Sequence, residues 1–160
     1  MAKLVQKQLK HQQQIRNYNC ASASLAVLLG KTQEETAFLC ETRTSGTHMS
    51  NVAKALRELG SIVYDCYINQ DFLEYSGFLE ALSYKWPLLI SGEFHSRYYK
   101  SGRDSVRHHA CAVADGMIYD PSEPTPLPVQ AYGHTFTKYL TLIEMIIIEE
   151  ERPFYLRSSK

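Results

Sequence analysis

The sequence predicts an α+β fold, in which an N-terminal group of helices packs against an antiparallel β-sheet formed by the C-terminal half. Two observations support this prediction. Residues 20–60 carry apolar side chains at helical spacing between clear helix start and stop signals. Residues 87–149 instead hold short apolar runs, two of which flank Asp115-Gly116. Asp-Gly favours a two-residue hairpin because both turn positions need positive φ, and helices followed by antiparallel strands are typical of the α+β class.

The first two helices are predicted from the residues at their ends. Residues 20–29 (CASASLAVLL) combine small and apolar side chains, which is typical of a buried helix, and Gly30 is a common helix stop. Thr32 and Glu35 have the spacing of a capping box. A second helix is therefore expected from this point to about Glu41.

A third helix is expected to begin at Thr47 or Ser50, since either side chain could cap it, and to stop at Gly60. Its apolar residues recur on one helical face: Met49, Val52, Ala53, Leu56 and Leu59. Beyond it, residues 61–67 predict a strand and residues 71–84 predict a further helix.

The second half of the chain contains four short segments that favour strands, at residues 87–91, 109–114, 117–120 and 141–149. Residues 93–107 are polar and aromatic and predict a long exposed loop. Prolines at positions 121, 124, 126 and 128 predict that no regular structure forms there.

Length and charge limit the possible functions. A chain of 160 residues with 44% hydrophobic residues is expected to form one domain over 1–160, with 1–11 as a possibly flexible basic arm and 151–160 as a tail. Its 17 Lys and Arg balance 17 Asp and Glu, which argues against a protein built to hold nucleic acid.

No apolar run reaches the ~20 residues needed to span a bilayer. The N-terminus lacks a secretory apolar segment, so a cytoplasmic location and no membrane partner are expected; the oligomeric state stays open.

The chain has four cysteines, Cys20, Cys40, Cys66 and Cys111. Their spacing fits neither a zinc knuckle nor a CxxC pair, so free thiols are expected in a reducing compartment. A metal site built on His108, His109 and Cys111 is not expected, because strand alternation places His108 on the opposite face from the other two. The sequence thus predicts neither a metal nor a cofactor.

Cys20 differs from the other cysteines in its position, where the polar residues 16–19 lead into an apolar helix. A helix N-terminus carries about half a positive charge and unpaired N–H groups. Both features favour the thiolate, which is the nucleophilic form of cysteine. Cys20 is therefore a candidate nucleophile; the alternative is a cysteine that only packs at a helix start.

The predicted hairpin places His109 near Asp120. A two-residue turn sets Cys111 opposite Asp120, so His109 and Asp120 become diagonal neighbours on one face, ~7–8 Å apart at the backbone. His108 falls on the other face, although a bulge in the strand would exchange the two histidines. A histidine held by a carboxylate can assist a neighbouring nucleophile; the alternative is a cross-strand pair that only stabilises the hairpin.

A reaction through Cys20 would need two hydrogen-bond donors for an oxyanion. The backbone N–H of Cys20 can supply one of them. The side-chain amide of Gln14, six residues upstream, can supply the other. Gln12 and Gln13 are also available for this role, and an exposed Gln-rich turn is the alternative without function.

Four short motifs follow one another along residues 12–122. They are Gln14-x5-Cys20, Gly46-Thr47 with residues 55–60 (ALRELG), residues 86–90 (WPLLI), and residues 109–113 (HACAV) followed by residues 119–122 (YDPS). In this order they resemble the bacteriocin-processing, double-glycine leader peptidase family of the papain-like superfamily. Asn19 and Ala21 stand where that family usually has an acidic residue and a glycine.

The resemblance implies a papain-like fold and a cysteine peptidase or isopeptidase acting on a peptide or protein substrate. It implies Cys20 as nucleophile, His109 as base and acid, Asp120 as orienting carboxylate and Gln14 as oxyanion donor. The same residues would also serve a papain-like deamidase or acyltransferase. A third possibility is a binding module with a silent site.

The loop before the His109 strand is basic and aromatic. Arg97, Tyr99, Arg103 and Arg107 are candidate substrate-binding residues, since this loop could cover the cleft and select an acidic peptide. The alternative is a solvated, flexible loop.

Overall fold

The computed structural model describes residues 9–16, 18–69, 86–95, 106–129 and 142–149, with side chains for all of these except 68–69, 93–95, 106–108 and 142–143. The described residues form three helices followed by a six-stranded antiparallel sheet, which confirms the predicted α+β class. Within this part of the chain, no helix is long and apolar enough to cross a membrane. The helix predicted at 71–84 lies outside the described residues.

Helix α1 spans Cys20–Leu29, as predicted, and residues 21–29 are all buried. It ends at Gly30, whose φ of 62° is left-handed. Small side chains such as Ala23 and Ser24 allow the helix to approach the sheet closely, and the hydroxyl of Ser24 donates to the carbonyl of Ala110 at 3.1 Å. The helix that begins at Cys20 therefore packs directly against the sheet.

Helix α2 spans Gln33–Leu39, and its predicted capping box is present, since the Thr32 hydroxyl accepts from the Glu35 N–H and the Glu35 carboxylate accepts from the Thr32 N–H. The helix ends two residues before the predicted Glu41, because the backbone there turns left-handed, with φ of 53°.

Helix α3 spans Met49–Glu58 and the chain turns at Gly60, as predicted. The predicted N-cap is wrong, because His48 occupies that position and not Thr47 or Ser50. The hydroxyl of Thr47 instead shares a 2.6 Å hydrogen bond with that of Thr42 across the preceding loop.

The strands are β1 (Val63–Asn69), β2 (Leu88–His95), β3 (Val106–Ala114), β4 (Met117–Tyr119), β5 (Leu127–Pro128) and β6 (Leu142–Ile148). They lie in the order β1-β6-β2-β3-β4-β5. Strands β2 and β3 extend further than predicted, because they pair over their whole length, so residues 93–95 and 106–107 of the predicted loop belong to strands. The short strand β5 also corrects the prediction for the proline-rich segment, since a proline is tolerated in a strand at the edge of a sheet.

The β3–β4 hairpin has the predicted two-residue turn. Ala114 pairs with Met117 and Val113 with Ile118. Asp115 and Gly116 have φ of 53° and 73°, the left-handed values that this turn requires. The register brings the residue after β4, Asp120, alongside the middle of β3.

The sheet has two apolar faces. One packs against the helices and includes Leu89, Ala110, Ala112 and Ile146, together with α1 residues such as Leu25. The opposite face has its own cluster of buried side chains: Leu88, Ile90, Cys111, Val113, Ile118, Val129 and Met145. Alternate residues of β3 thus serve opposite faces, as strand geometry dictates.

Candidate active site

Cys20 lies at the first residue of α1, where its thiol is partly buried beside His109. Burial acts to raise the pKa of this thiol, but the hydrogen bond and charge of His109, helped by backbone groups of Ala110 and Ala21, outweigh it. The pKa of Cys20 is therefore below its ordinary value. In contrast, burial raises the pKa of Cys40 to about 12, and burial also raises the pKa of Cys66.

His109 extends from β3 and is almost fully buried. Its Nε2 lies 2.7 Å from Oδ1 of Asp120. Burial acts to lower the pKa of the imidazole, but the hydrogen bonds with Asp120, Cys111 and Cys20 outweigh it, and the pKa of His109 lies well above its ordinary value. The structure thus brings together the three residues that the sequence analysis named as nucleophile, base and orienting carboxylate.

Asp120 follows β4 directly and is held by its own turn. Its Oδ1 accepts a hydrogen bond from the backbone N–H of Ser122 at 2.8 Å and one from the Ser122 hydroxyl at 2.7 Å. Ser122 is not among the site residues predicted from the sequence. The spacing could have indicated it, because an aspartate side chain often accepts from the residue two positions on.

Gln14 is the buried member of the three consecutive glutamines. Its side-chain Nε2 donates to the carbonyl of Arg16 at 2.6 Å, and its backbone N–H donates to the carbonyl of Pro121 at 2.8 Å. Gln12 instead donates to the carbonyl of Lys31, and Gln13 is exposed. Gln14 is therefore joined by its backbone to the turn that carries Asp120.

A cavity of about 240 Å³ opens beside the thiol and the imidazole. It is lined by Tyr18, Cys20, Ala21, Thr44, Ser45, Gly46, Thr47, Ser91, His109 and Ala110. The loop before α3 forms one wall of this cavity. In this loop Gly46 adopts a φ of 106°, a backbone angle that residues with a Cβ atom rarely adopt. In the sequence, Gly46 and Thr47 belong to a motif and Thr47 is a candidate helix cap, but no pattern predicts that this loop lines a cavity.

One cluster near the site has the chemistry of metal ligands. Ligand atoms of His109, Cys111 and Asp120 all lie within 4.8 Å of one another, and all three residues are buried. Two ligands at ~2.1 Å from a tetrahedral ion would lie roughly 3.4 Å apart, whereas the His109–Asp120 distance of 2.7 Å is that of a hydrogen bond. The arrangement described is thus a hydrogen-bonded pair, which a metal ion would have to separate.

The proposed substrate-binding residues are not placed by the structure. Arg97, Tyr99 and Arg103 lie outside the described residues, and of Arg107 only the strand backbone, paired with Phe94, is described. Their role stays a prediction.

Comparison with known proteins finds similarity only in the three-dimensional fold. No protein-family model matches the chain, and no curated protein matches it. Among solved structures, the peptidase domain of Streptococcus ComA, a bi-functional ABC transporter involved in a quorum sensing pathway, has a TM-score of 0.54 with 16% identity, covering 89% of this chain and 100% of that domain.

Two further structures agree. A double glycine motif protease from an AMS/PCAT transporter, solved in complex with the leader peptide, has a TM-score of 0.55 and 19% identity over 88% of this chain and 91% of that one. The peptidase domain of Streptococcus mutans ComA has a TM-score of 0.50 and 17% identity over 88% of this chain and 99% of that one. Three helices on a six-stranded antiparallel sheet thus give this chain the papain-like fold of the double-glycine peptidase domains.

Proposed function

We propose that this chain is a cysteine peptidase that hydrolyses a peptide or amide bond through Cys20, His109 and Asp120. The observation that carries the proposal is that Cys20 and His109 line one cavity, with the His109 ring hydrogen-bonded to the buried Asp120, in a fold shared with peptidase domains. The pKa shifts of Cys20 and His109 and the hydrogen bonds of Asp120 also support the roles proposed for these residues.

The two pKa shifts support a thiolate–imidazolium pair. The pKa of Cys20 is lowered and that of His109 is raised, so a proton passes readily from the sulfur to the ring. The N-terminus of α1 adds its partial positive charge beside the sulfur. The resting site would then hold its nucleophile already ionised, as reactive cysteines do.

Asp120 would fix the orientation of the imidazole. Since Nε2 is bonded to Asp120, we assign Nδ1 as the nitrogen that serves the thiol. The two bonds from Ser122 hold the carboxylate in place for this purpose. A carboxylate held in this way keeps one tautomer and stabilises the imidazolium.

The oxyanion would be held by the Cys20 backbone N–H and by the Gln14 amide. An amide NH₂ group has two hydrogens and can donate to two acceptors. The bond from Gln14 to the carbonyl of Arg16 is therefore compatible with a second bond to the substrate oxygen. Removing one such donor typically costs about 3–4 kcal/mol of transition-state stabilisation.

The reaction would proceed in two halves. The Cys20 thiolate attacks the carbonyl carbon, and the carbonyl π electrons move to the oxygen, which the two donors stabilise. As the C–N bond breaks, the His109 imidazolium gives its proton to the leaving amine and a thioester remains. His109 then takes a proton from water, the hydroxide attacks the thioester, and the carboxylic acid and the Cys20 thiolate are released.

The substrate we propose is a peptide or protein. One of the similar structures holds a leader peptide, and a cavity lies beside Cys20 in this chain. We place the reaction in the cytoplasm, a reducing compartment in which the Cys20 thiol would stay free.

The proposal is tested by comparing the thiols and then the products. Iodoacetamide should alkylate Cys20 in the folded protein faster than Cys40 or Cys66, as measured for each site by mass spectrometry. Incubation with a peptide library should then give chain cleavage with wild type and none with Cys20→Ala. Equal labelling of the three thiols would refute the enzyme hypothesis. A one-dalton mass shift or a transferred group in place of cleavage would establish deamidation or acyl transfer instead.

A further inference from the structure

Gln33 lies at the start of α2, outside the cavity, yet three hydrogen bonds join its side chain to the segment that leads to Cys20. We define this segment, residues 13–16 and 18–20, as the oxyanion segment. The side chain of Gln33 is buried, with 8% exposure. The adjacent capping box of Thr32 and Glu35 fixes the helix end on which it stands.

The amide of Gln33 bridges the two peptide groups that flank Gln14. Its Nε2 donates to the carbonyl of Gln13 at 2.6 Å, and its Oε1 accepts from the N–H of Ile15 at 3.2 Å. From the other side, the N–H of Gln14 donates to the carbonyl of Pro121. The backbone of Gln14 is therefore fixed between α2 and the turn that carries Asp120.

The same oxygen of Gln33 also reaches the residue before Cys20. Asn19 Nδ2 donates to Gln33 Oε1 at 2.9 Å, and Asn19 Oδ1 accepts from the N–H of Arg16 at 3.2 Å. Asn19 is itself buried, with 4% exposure. One side chain thus connects the neighbours of Gln14 with the residue that precedes the N–H of Cys20.

We infer that Gln33 is a positioning residue that sets the distance between the two oxyanion donors, the Gln14 amide and the Cys20 N–H. This inference rests on the proposed function. Two donors stabilise an oxyanion only when both lie about 3 Å from the same oxygen, and a misplacement of about 1 Å can cost roughly 100-fold in rate. The thiolate itself depends on His109 and not on this arrangement.

The experiment compares two reactions of Cys20. Acylation by p-nitrophenyl acetate passes through an oxyanion, whereas alkylation by iodoacetamide requires only the thiolate. Gln33→Met keeps a similar side-chain length without its hydrogen bonds. We expect it to lower the acylation rate at least about tenfold and to leave the alkylation rate of Cys20 within about twofold of wild type.

The matched control is Gln12→Met. Gln12 directly precedes the oxyanion segment, and its side chain donates to the carbonyl of Lys31 at 2.9 Å. This bond involves neither Gln33 nor Asn19. Both rates should stay at the wild-type level in this variant. Asn19→Ala removes the hydrogen bond between Asn19 and Gln33. We expect it to lower the acylation rate selectively, as Gln33→Met does. This second variant tests the inference if Gln33→Met does not fold.

The inference is overturned if Gln33→Met or Asn19→Ala leaves the ratio of the acylation rate to the alkylation rate at its wild-type value, whether the two rates are unchanged or fall equally. An equal fall is the result expected of a purely structural role. Failure of the proposed function has a different signature. In that case wild type itself shows no acylation of Cys20 and no preferential alkylation there.

Discussion

Nε2 of His109 lies 2.7 Å from Oδ1 of Asp120, and the two residues are only 3% and 1% exposed. His109 lies on β3 and Asp120 directly follows β4, and a two-residue turn joins these two strands, so their contact depends on the register of one hairpin. In this buried position the carboxylate both fixes the ring and favours its protonated form. The chemistry proposed for Cys20 therefore depends on a carboxylate that is bonded to the imidazole.

Asp120→Asn should weaken catalysis and move its pH dependence. The pKa of His109 is held above its ordinary value by Asp120, so removal of the charge should lower that pKa and shift the alkaline limb of the kcat/KM profile to lower pH. We expect kcat/KM to fall by about 10²–10⁴-fold. A profile with an unchanged alkaline limb would show that Asp120 does not control the ring.

His109→Gln should change the ionisation of Cys20. It removes the hydrogen bond and the charge that lower the pKa of the thiol and leaves the burial that raises it. The midpoint of the iodoacetamide rate against pH should therefore move to higher pH. Cys66 in the same molecule serves as control, since burial and Asp65 raise its pKa without any contribution from His109. An unmoved Cys20 midpoint would contradict the thiolate–imidazolium pair.

Ser122→Ala should loosen Asp120. The variant loses the 2.7 Å hydroxyl bond and keeps the 2.8 Å backbone bond. A buried bond to a charged group contributes about 1.5–3 kcal/mol, so urea unfolding should show a loss of this size together with reduced kcat/KM. Ser24→Ala is the control: its bond to the Ala110 carbonyl is neutral, and its loss should cost about 1 kcal/mol with activity retained. Equal activity in both variants would leave Ser122 without the role assigned to it.

Gly116→Ala should destabilise the hairpin through the backbone alone. Gly116 has φ of 73°, and nothing lies within 4 Å of the position a Cβ would take, so strain and not collision determines the cost. We expect a loss of about 1–2 kcal/mol in the free energy of unfolding by urea. Asp115→Asn, at a left-handed position that asparagine tolerates, should stay within about 0.5 kcal/mol of wild type. A fully stable Gly116→Ala protein would argue against the two-residue turn.

Local patterns predicted the elements whose causes are local. The Thr32–Glu35 capping box, the stop at Gly30 and the Asp115-Gly116 turn each depend on residues a few positions apart, and all three are present in the structure. The wrong predictions concern strands whose extent or existence depends on the strand with which they pair. The pairing of β2 with β3 continues beyond the short apolar segments that predict these two strands. The segment with Pro128 forms strand β5 because it pairs with the edge of β4.

The sequence by itself determined that His109, and not His108, shares a face with Asp120, because side chains alternate along a strand and the turn fixes the register. It also placed Cys20 at a helix start. Only the tertiary structure decided that this helix start meets the His109 strand and that Gln33 of one helix binds both flanks of Gln14. These contacts join residues whose side chains have no local pattern in common, so they are set by how α1 and α2 pack together and on the sheet.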